Sequence, residues 1–170
     1  MERLWAPWRI EYISGQRGRE SKTGCVFCDA VEEQDDASRL VLGRGRNVFT
    51  IMNLFPYTNG HLMIVPNRHV GDFTMLTNDE YRDIMTAVRD AVDVLGATMN
   101  CDGYNVGMNL GRAAGAGIAE HVHMHVVPRW NGDTNFMAVV DDTKVVSEAL
   151  DDTYRKLRAE YEKRGRVTVG

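Results

Sequence analysis

With 170 residues and a formal net charge of −4, the chain has the size of one domain that can bury a hydrophobic core without disulfide staples. The negative charge argues against binding to long nucleic acids, which depends on a basic surface, although a pocket for a small nucleotide needs only a few local donors. No run of about eighteen apolar residues occurs, so the sequence predicts no membrane-spanning segment.

Residues 1–23 form a predicted N-terminal arm, aromatic and Pro-containing at first and polar from Ser14 onwards. Trp5 and Trp8 are too large to leave in water without a reason, so the arm packs either on its own domain or on a second subunit. Charged residues interrupt every apolar stretch of the arm, which is unlike a secretory signal, and we expect a cytoplasmic protein.

Cys25 and Cys28 have the C-x-x-C spacing of one half of a tetrahedral zinc site. The same spacing occurs in redox pairs beside βαβ units, but no βαβ pattern follows here, so we favour zinc. Two further ligands are needed to close such a site, and His69 and His121 are the natural candidates. An odd number of cysteines in an apparently cytosolic chain argues against a disulfide framework.

Two β-rich runs, 48–52 and 61–66, are separated by a loop that contains Asn59 and Gly60. An Asn-Gly pair between two such runs is a hairpin signal, so we expect adjacent antiparallel strands. His61 begins the second predicted strand.

Two amphipathic helices are predicted. Thr77 and Glu80 have capping-box spacing at the start of the first helix, which ends near Gly96 or shortly after it. The second helix runs from Thr143 to Arg164. The apolar stripe that we expect to face the core from the first helix consists of Tyr81, Ile84, Met85, Val88, Ala91, Val92, Leu95 and Met99.

A third predicted strand covers residues 103–109 and continues into a glycine-rich connection, 110–118. Glycines allow backbone N–H groups to approach a phosphate closely, although a flexible hairpin loop has the same composition. The connection lacks a Gly-Lys-Ser/Thr ending and is therefore not an ATP-binding P-loop.

Three histidines at alternate positions, His121, His123 and His125, follow this connection. Strand geometry places the three imidazoles on one face, about 6–7 Å apart, and sends the intervening Val122, Met124 and Val126 towards a core. Imidazoles are poor core fillers and titrate near neutral pH, so they serve as nucleophiles, acids, bases or metal ligands.

Arg129 follows the histidine strand. Its planar guanidinium has several N–H donors that are able to bind a phosphate. The alternative is that Arg129 is a surface cation. The element order is strands, a helix, more strands and a helix. This order predicts an α+β domain with a mainly antiparallel sheet.

The segment 121–127 resembles the signature of the histidine triad (HIT) superfamily of nucleotide hydrolases and transferases, and 59–69 resembles a second stretch of the same family. The similarity runs from about Cys25 to Trp130. The histidine segment continues as Val-Val-Pro-Arg-Trp, and together with the Trp-rich arm it most resembles the bacterial dinucleoside-polyphosphate phosphorylase and hydrolase branch.

The resemblance implies a HIT-like fold: a sheet of about five strands, a long central helix and a C-terminal helix. On this basis residues 1–170 form one HIT domain, with an arm at 1–23, a core at 24–130 and an extension with a helix at 131–170.

The resemblance also implies a mechanism. His123 attacks the α-phosphorus of a nucleotide to form a nucleotidyl-imidazole intermediate, which splits one displacement into two easier steps. His125 stabilises the phosphoryl oxygens or assists protonation of the leaving group, and water or inorganic phosphate then attacks the intermediate. Asn53 contacts the ribose hydroxyls and Asn109 lies near the phosphates. The full set of expected substrate-binding residues is Asn53, His61, Asn109, Gly115, Gly117, Ile118 and Arg129.

By the same resemblance, a zinc ion is held by Cys25, Cys28, His69 and His121, and this closed site is structural. No organic cofactor is expected. The implied partners are a nucleotide substrate and a second copy of the chain in a homodimer, with a larger homo-oligomer compatible with the Trp5 and Trp8 arm.

One departure from the family pattern affects the substrate prediction. Many members carry a Gln-Ser/Thr pair a few residues before the triad, where this chain has the segment 116–119, Ala-Gly-Ile-Ala.

The leading hypothesis is cleavage of dinucleoside polyphosphates, diadenosine tetraphosphate above all. A nucleoside phosphoramidase is the alternative, against which Asn53 argues because that branch usually has Asp. A zinc-stabilised nucleotide-binding module without turnover is a third interpretation.

Overall fold

The computed structural model describes residues 21–133 and 148–166 of the chain. Its helices are α1 (Val26–Glu33), α2 (Asp36–Arg39), α3 (Asn78–Met99) and α4 (Leu150–Lys163). Its strands are β1 (Val41–Arg44), β2 (Val48–Met52), β3 (Leu62–Pro66), β4 (Gly103–Gly107) and β5 (Met124–Arg129). Two short 3-10 helices cover Phe73–Met75 and Arg112–Ala114. The predicted α+β class is confirmed.

The five strands form one antiparallel sheet in the order β1-β2-β3-β5-β4. The predicted hairpin is confirmed, since β2 and β3 pair along their full length, with Val48 opposite Pro66 at one end and Met52 opposite Leu62 at the other. Gly60 turns the chain into β3 with a φ of +77°, a conformation that favours glycine. This sheet order places the strand after His61 beside the strand that contains His125.

Helix α3 covers one face of the sheet and begins with the predicted capping box, in which Thr77 and Glu80 bond each other's backbone N–H groups. The main core consists of residues from α3 and α4, of inward-facing strand positions such as Val126, and of Val122 just before β5. The prediction for Met85 is wrong, because its side chain is 57% exposed. In a helix of 22 residues the apolar stripe is narrower than the sequence pattern suggested.

The opposite face of the sheet packs against α1, which the sequence pattern did not predict because the helix has only 8 residues. Cys25 is its N-cap residue and adopts an extended conformation, so both cysteines of the C-x-x-C motif lie at the start of this helix. A second buried cluster joins α1 to the sheet and consists of Cys25, Phe27, Ala30, Val41, Phe49, Ile51, Met63 and Val65.

The histidine segment is only partly a strand, which corrects the prediction of a continuous strand from His121 to Val127. Strand β5 begins at Met124, and its pairing with β3 extends only as far as Ile64. Pro66 at the end of β3 has no N–H for a further ladder bond, and Nε2 of His121 takes its carbonyl oxygen instead, at 2.9 Å. All three histidines are nevertheless buried.

The C-terminal helix is shorter than predicted. Helix α4 begins at Leu150, because Ala149 has extended backbone angles. The predicted helical residues 143–147, like Trp5 and Trp8 of the predicted arm, lie outside the described residues, and the division into arm, core and extension stays a prediction. Within residues 21–133 and 148–166, no helix has the length and hydropathy of a membrane span.

Candidate active site and metal site

Four predicted metal ligands come together beside the start of α1. Sγ of Cys25 lies 3.4 Å from Nδ1 of His121, and Sγ of Cys28 lies 3.2 Å from Nδ1 of His69 and 3.8 Å from Nδ1 of His121. The four ligand atoms all lie within 4.8 Å of one another. Bond lengths of zinc to thiolate and imidazole give tetrahedral edges of about 3.3–3.8 Å, close to these three sulfur–nitrogen distances, so the donor set is compatible with a zinc ion.

The protonation of His121 also suits a metal ligand. Its Nε2 lies 2.9 Å from the carbonyl oxygen of Pro66, which only accepts hydrogen bonds, so Nε2 carries the proton. Nδ1 of His121 then has a lone pair, and this lone pair faces the two cysteine sulfurs. A metal-bound histidine that donates its other N–H to a backbone carbonyl is the usual arrangement in protein metal sites.

One ring nitrogen of His123 is hydrogen-bonded to the backbone, and the other is available to bind a ligand. Its Nδ1 lies 2.9 Å from the carbonyl oxygen of His121, so Nδ1 carries the proton and Nε2 has a lone pair. No residue in the described part of the chain hydrogen-bonds Nε2. Burial lowers the pKa of His123 below its ordinary value, which keeps this ring neutral at pH 7. A neutral imidazole with a free Nε2 is a nucleophile.

His61 and His125 form a directed pair. The amide of Tyr57 donates to Nδ1 of His61 at 3.1 Å, so the proton of neutral His61 is on Nε2. That Nε2 lies 2.9 Å from Nδ1 of His125, which therefore accepts, and the proton of neutral His125 is on its own Nε2. Burial, reinforced by His123, lowers the pKa of His125 to about 4, so it is neutral at pH 7.

Nε2 of His125 is a buried donor with no hydrogen-bond partner among the residues described. Because buried polar groups are normally paired, such a donor is a candidate for contact with a ligand. The rings of His123 and His125 have centroids 4.8 Å apart and are nearly perpendicular. A lone pair and an N–H donor thus lie side by side, which suits attack on an electrophile that has negatively charged oxygens.

Asn53 lies beside this pair, where it supports His61. Its Oδ1 accepts a 2.9 Å bond from the amide of Phe55, so its Nδ2 is the atom that lies 3.3 Å from Nδ1 of His61. The structure brings Asn53, His61, His123 and His125 together. The expected contact of Asn53 with a ribose stays a prediction.

The glycine-rich connection is exposed or half-buried, and so is Asn109 before it. The amide of Gly115 donates to the carbonyl oxygen of Arg112, and this use within the protein counts against its predicted contact with phosphate. The amides of Gly117 and Ile118 bond no acceptor within the described ranges, so they remain candidates for phosphate contact.

The guanidinium of Arg129, at the end of β5, is hydrogen-bonded to two other side chains. Its Nε and one terminal nitrogen bond the two carboxylate oxygens of Asp133 at 2.6 and 2.7 Å, and its other terminal nitrogen bonds Oδ1 of Asn105 at 2.8 Å. A phosphate would have to compete with a bidentate ion pair, the strongest bond of this kind that a guanidinium makes. The phosphate role of Arg129 stays a prediction.

Two aromatic residues of the site were missed from sequence. The ring of Phe27 lies between those of His121 and His123, with centroid distances of 5.4 and 5.1 Å. The ring of Tyr57 lies 4.6 Å from that of His61 and is 45% exposed. Phe27 lies inside the C-x-x-C motif, and its position there was the available signal.

Comparison with known proteins gives a consistent family match. The model of the HIT domain family matches residues 34–132. A Mycobacterium tuberculosis protein named AP-4-A phosphorylase is 38% identical over 165 residues, which cover 95% of this chain and 85% of that protein.

Two solved structures share the fold. The zinc-bound histidine triad family protein from Mycobacterium smegmatis is 25% identical, covers 85% of this chain and 98% of its own, and superposes with a TM-score of 0.68. The Plasmodium falciparum diadenosine triphosphate hydrolase is 16% identical, with a TM-score of 0.58 over 75% of this chain and 77% of its own, and supports the fold alone.

Proposed function

This chain belongs to the HIT domain family and is a nucleotide hydrolase or transferase, and we propose that its substrates are dinucleoside polyphosphates, with diadenosine tetraphosphate the first to test. The relative that covers nearly the whole chain is named for activity on that substrate class. The observation that carries the proposal is the pairing of a neutral His123, whose Nε2 lone pair is free, with the unpartnered Nε2–H of His125.

In the proposed first step, Nε2 of His123 forms a bond to the α-phosphorus while the bond from that phosphorus to the bridging oxygen breaks. The leaving nucleotide departs as an anion with the electron pair. The positive charge that develops on the imidazole is stabilised by the carbonyl oxygen of His121 at Nδ1. The product of this step is a nucleotidyl-histidine.

His125 acts as a neutral hydrogen-bond donor in this proposal. Its Nε2–H contacts a phosphoryl or leaving oxygen, and its own tautomer is held by His61, which the amide of Tyr57 orients in turn. An oriented donor that needs no reorganisation during the reaction stabilises developing negative charge more effectively than water does. The amides of Gly117 and Ile118 are proposed to serve the remaining phosphate oxygens, with Asn53 near the ribose and Asn109 near the phosphates.

We propose a structural role for zinc held by Cys25, Cys28, His69 and His121. A closed set of four protein ligands leaves no position for a reacting water, so the ion would supply rigidity. The absence of a disulfide between the two cysteines supports a cytoplasmic protein, since cytosolic conditions keep such ligands reduced. Edge strand β4 exposes Val106, which supports the proposed homodimer.

Analysis of the products with and without inorganic phosphate tests the proposed function. Turnover of diadenosine tetraphosphate is expected to yield ATP whichever acceptor completes the reaction, because the α-phosphorus is attacked and ATP leaves. Release of ADP that requires phosphate identifies a phosphorylase, and release of AMP without phosphate identifies a hydrolase. Turnover of adenosine phosphoramidate alone, or tight AMP binding without turnover, would contradict the proposal.

A further inference from the structure

Phe27 connects the candidate metal site to the proposed nucleophile. It lies between Cys25 and Cys28, is 1% exposed, and its ring contacts the rings of both His121 and His123. The contact with His121 is edge-to-face, with an interplanar angle of 81°. The contact with His123 is tilted, at 56°. A residue of the metal-binding motif therefore touches the reacting ring itself.

The backbone that carries Phe27 is firmly held. The carboxylate of Asp29, in the first turn of α1, accepts bonds from the amides of Lys22 and Thr23 at 3.2 and 3.0 Å. The guanidinium of Arg44 in β1 donates to the carbonyl oxygen of Ala30 at 2.7 Å. These hydrogen bonds hold the backbone of α1, and with it Phe27, against the sheet that carries the histidines.

The ring of His123 has one hydrogen bond within the protein, from Nδ1 to the carbonyl oxygen of His121. This bond determines which ring edge faces the carbonyl oxygen, but a hydrogen bond tolerates a range of angles and terminal torsions of histidine are broad, so packing neighbours also set the ring plane. The Phe27 ring, with its centroid 5.1 Å from that of His123, is such a neighbour, and aromatic pairs of this kind prefer defined geometries. The direction of Nε2 consequently depends on where Phe27 is held.

We propose that Phe27 is a positioning residue, which orients the ring of His123 for attack and transmits the order of the Cys25–Cys28 metal site to it. This inference rests on the proposed function for its kinetic consequence, but the orientation of His123 is a property of the protein without substrate. The Phe27 ring acts through His123 and not through contact with the reacting phosphorus.

The kinetic test compares Phe27→Leu with Phe49→Leu on diadenosine tetraphosphate. Phe49 is a matched control, since it is equally buried, packs in the same cluster and has no ring contact with a histidine in the described ranges. Phe27→Leu is expected to lower kcat about 10- to 100-fold with KM nearly unchanged, because small misplacements of reacting atoms have effects of that size. Phe49→Leu is expected to change kcat by less than about 3-fold.

Equal losses of kcat in the two variants, or a loss confined to KM, would overturn the proposal. The first result would mean a general packing role, and the second a contact with substrate. Should Phe27→Leu fail to fold, Phe27→Met provides a flexible side chain of similar volume for the same comparison.

A spectroscopic test separates this inference from the proposed function. Two-bond ¹H–¹⁵N correlation spectra report which ring nitrogen of His123 carries the proton, without any substrate. The wild-type protein with zinc is expected to show a proton on Nδ1 only, as does Phe49→Leu, whereas Phe27→Leu is expected to show a mixture of tautomers. Removal of zinc by a chelator is expected to produce the same mixture in wild type and little further change in Phe27→Leu.

An identical response to zinc removal in wild type and Phe27→Leu would contradict transmission through Phe27. Absence of turnover in wild type, with the predicted tautomers present, would reject the proposed function and leave the positioning role supported.

Discussion

Replacement of His123 by alanine is expected to abolish turnover of diadenosine tetraphosphate, lowering kcat by at least about 10⁴-fold. The variant has no side chain that can bond the α-phosphorus, and its neighbour His125 presents an N–H where a nucleophile needs a lone pair. Steady-state kinetics at saturating substrate measure the loss. Binding of AMP, by contrast, is expected to change by less than about 10-fold, because the donors for the phosphate remain.

The His123→Ala variant needs a control for folding, since the side chain is buried against Phe27. Its zinc content and thermal unfolding midpoint should stay close to those of wild type, as the four ligand side chains are untouched. A variant that folds, binds zinc and retains more than about one-hundredth of the wild-type kcat would show that another group attacks the phosphorus.

Loss of the metal site is expected to have the largest effect on stability. Cys28→Ala should abolish near-stoichiometric zinc binding and lower the thermal unfolding midpoint by about 10 °C, because a structural zinc stabilises the fold by several kcal/mol. The ligands come from α1, from the loop after β3 and from the histidine segment, so the ion would join three parts of the chain. Elemental analysis and calorimetry measure the two effects.

Cys101→Ala is the matched control for this prediction. Cys101 is a free cysteine outside the ligand cluster, and its Sγ contacts the hydroxyl of Tyr104. This variant is expected to keep its zinc and to unfold within about 3 °C of wild type. Equal behaviour of the two cysteine variants, or wild-type protein whose unfolding midpoint is unchanged by a chelator, would contradict the zinc assignment.

The histidine pattern predicted much of the site because alternation along an extended chain is a local property. It placed His121, His123 and His125 towards one side and Val122 and Val126 towards the core. It did not predict that the strand begins only at Met124. That boundary depends on Pro66 of a different strand, whose missing N–H ends the ladder and whose carbonyl is taken by His121.

Roles that depend on which side chains meet in the folded protein were beyond prediction. Arg129 looked free for phosphate, but Asp133 and Asn105 take its donors. Asn53 was expected at the ribose, yet one of its polar groups faces His61. The contact of Phe27 with His123 could not be predicted, because the two residues are separated by most of the sequence of the domain.

Trapping the covalent intermediate tests the proposed mechanism most directly. Enzyme mixed with diadenosine tetraphosphate in the absence of phosphate, and quenched in alkali within the first turnover, is digested and examined by mass spectrometry. The peptide that contains His123 is expected to gain the mass of one AMP group, with fragments that place it on that residue. No adduct during demonstrated turnover, or an adduct on His125 or any other residue, would contradict attack by His123.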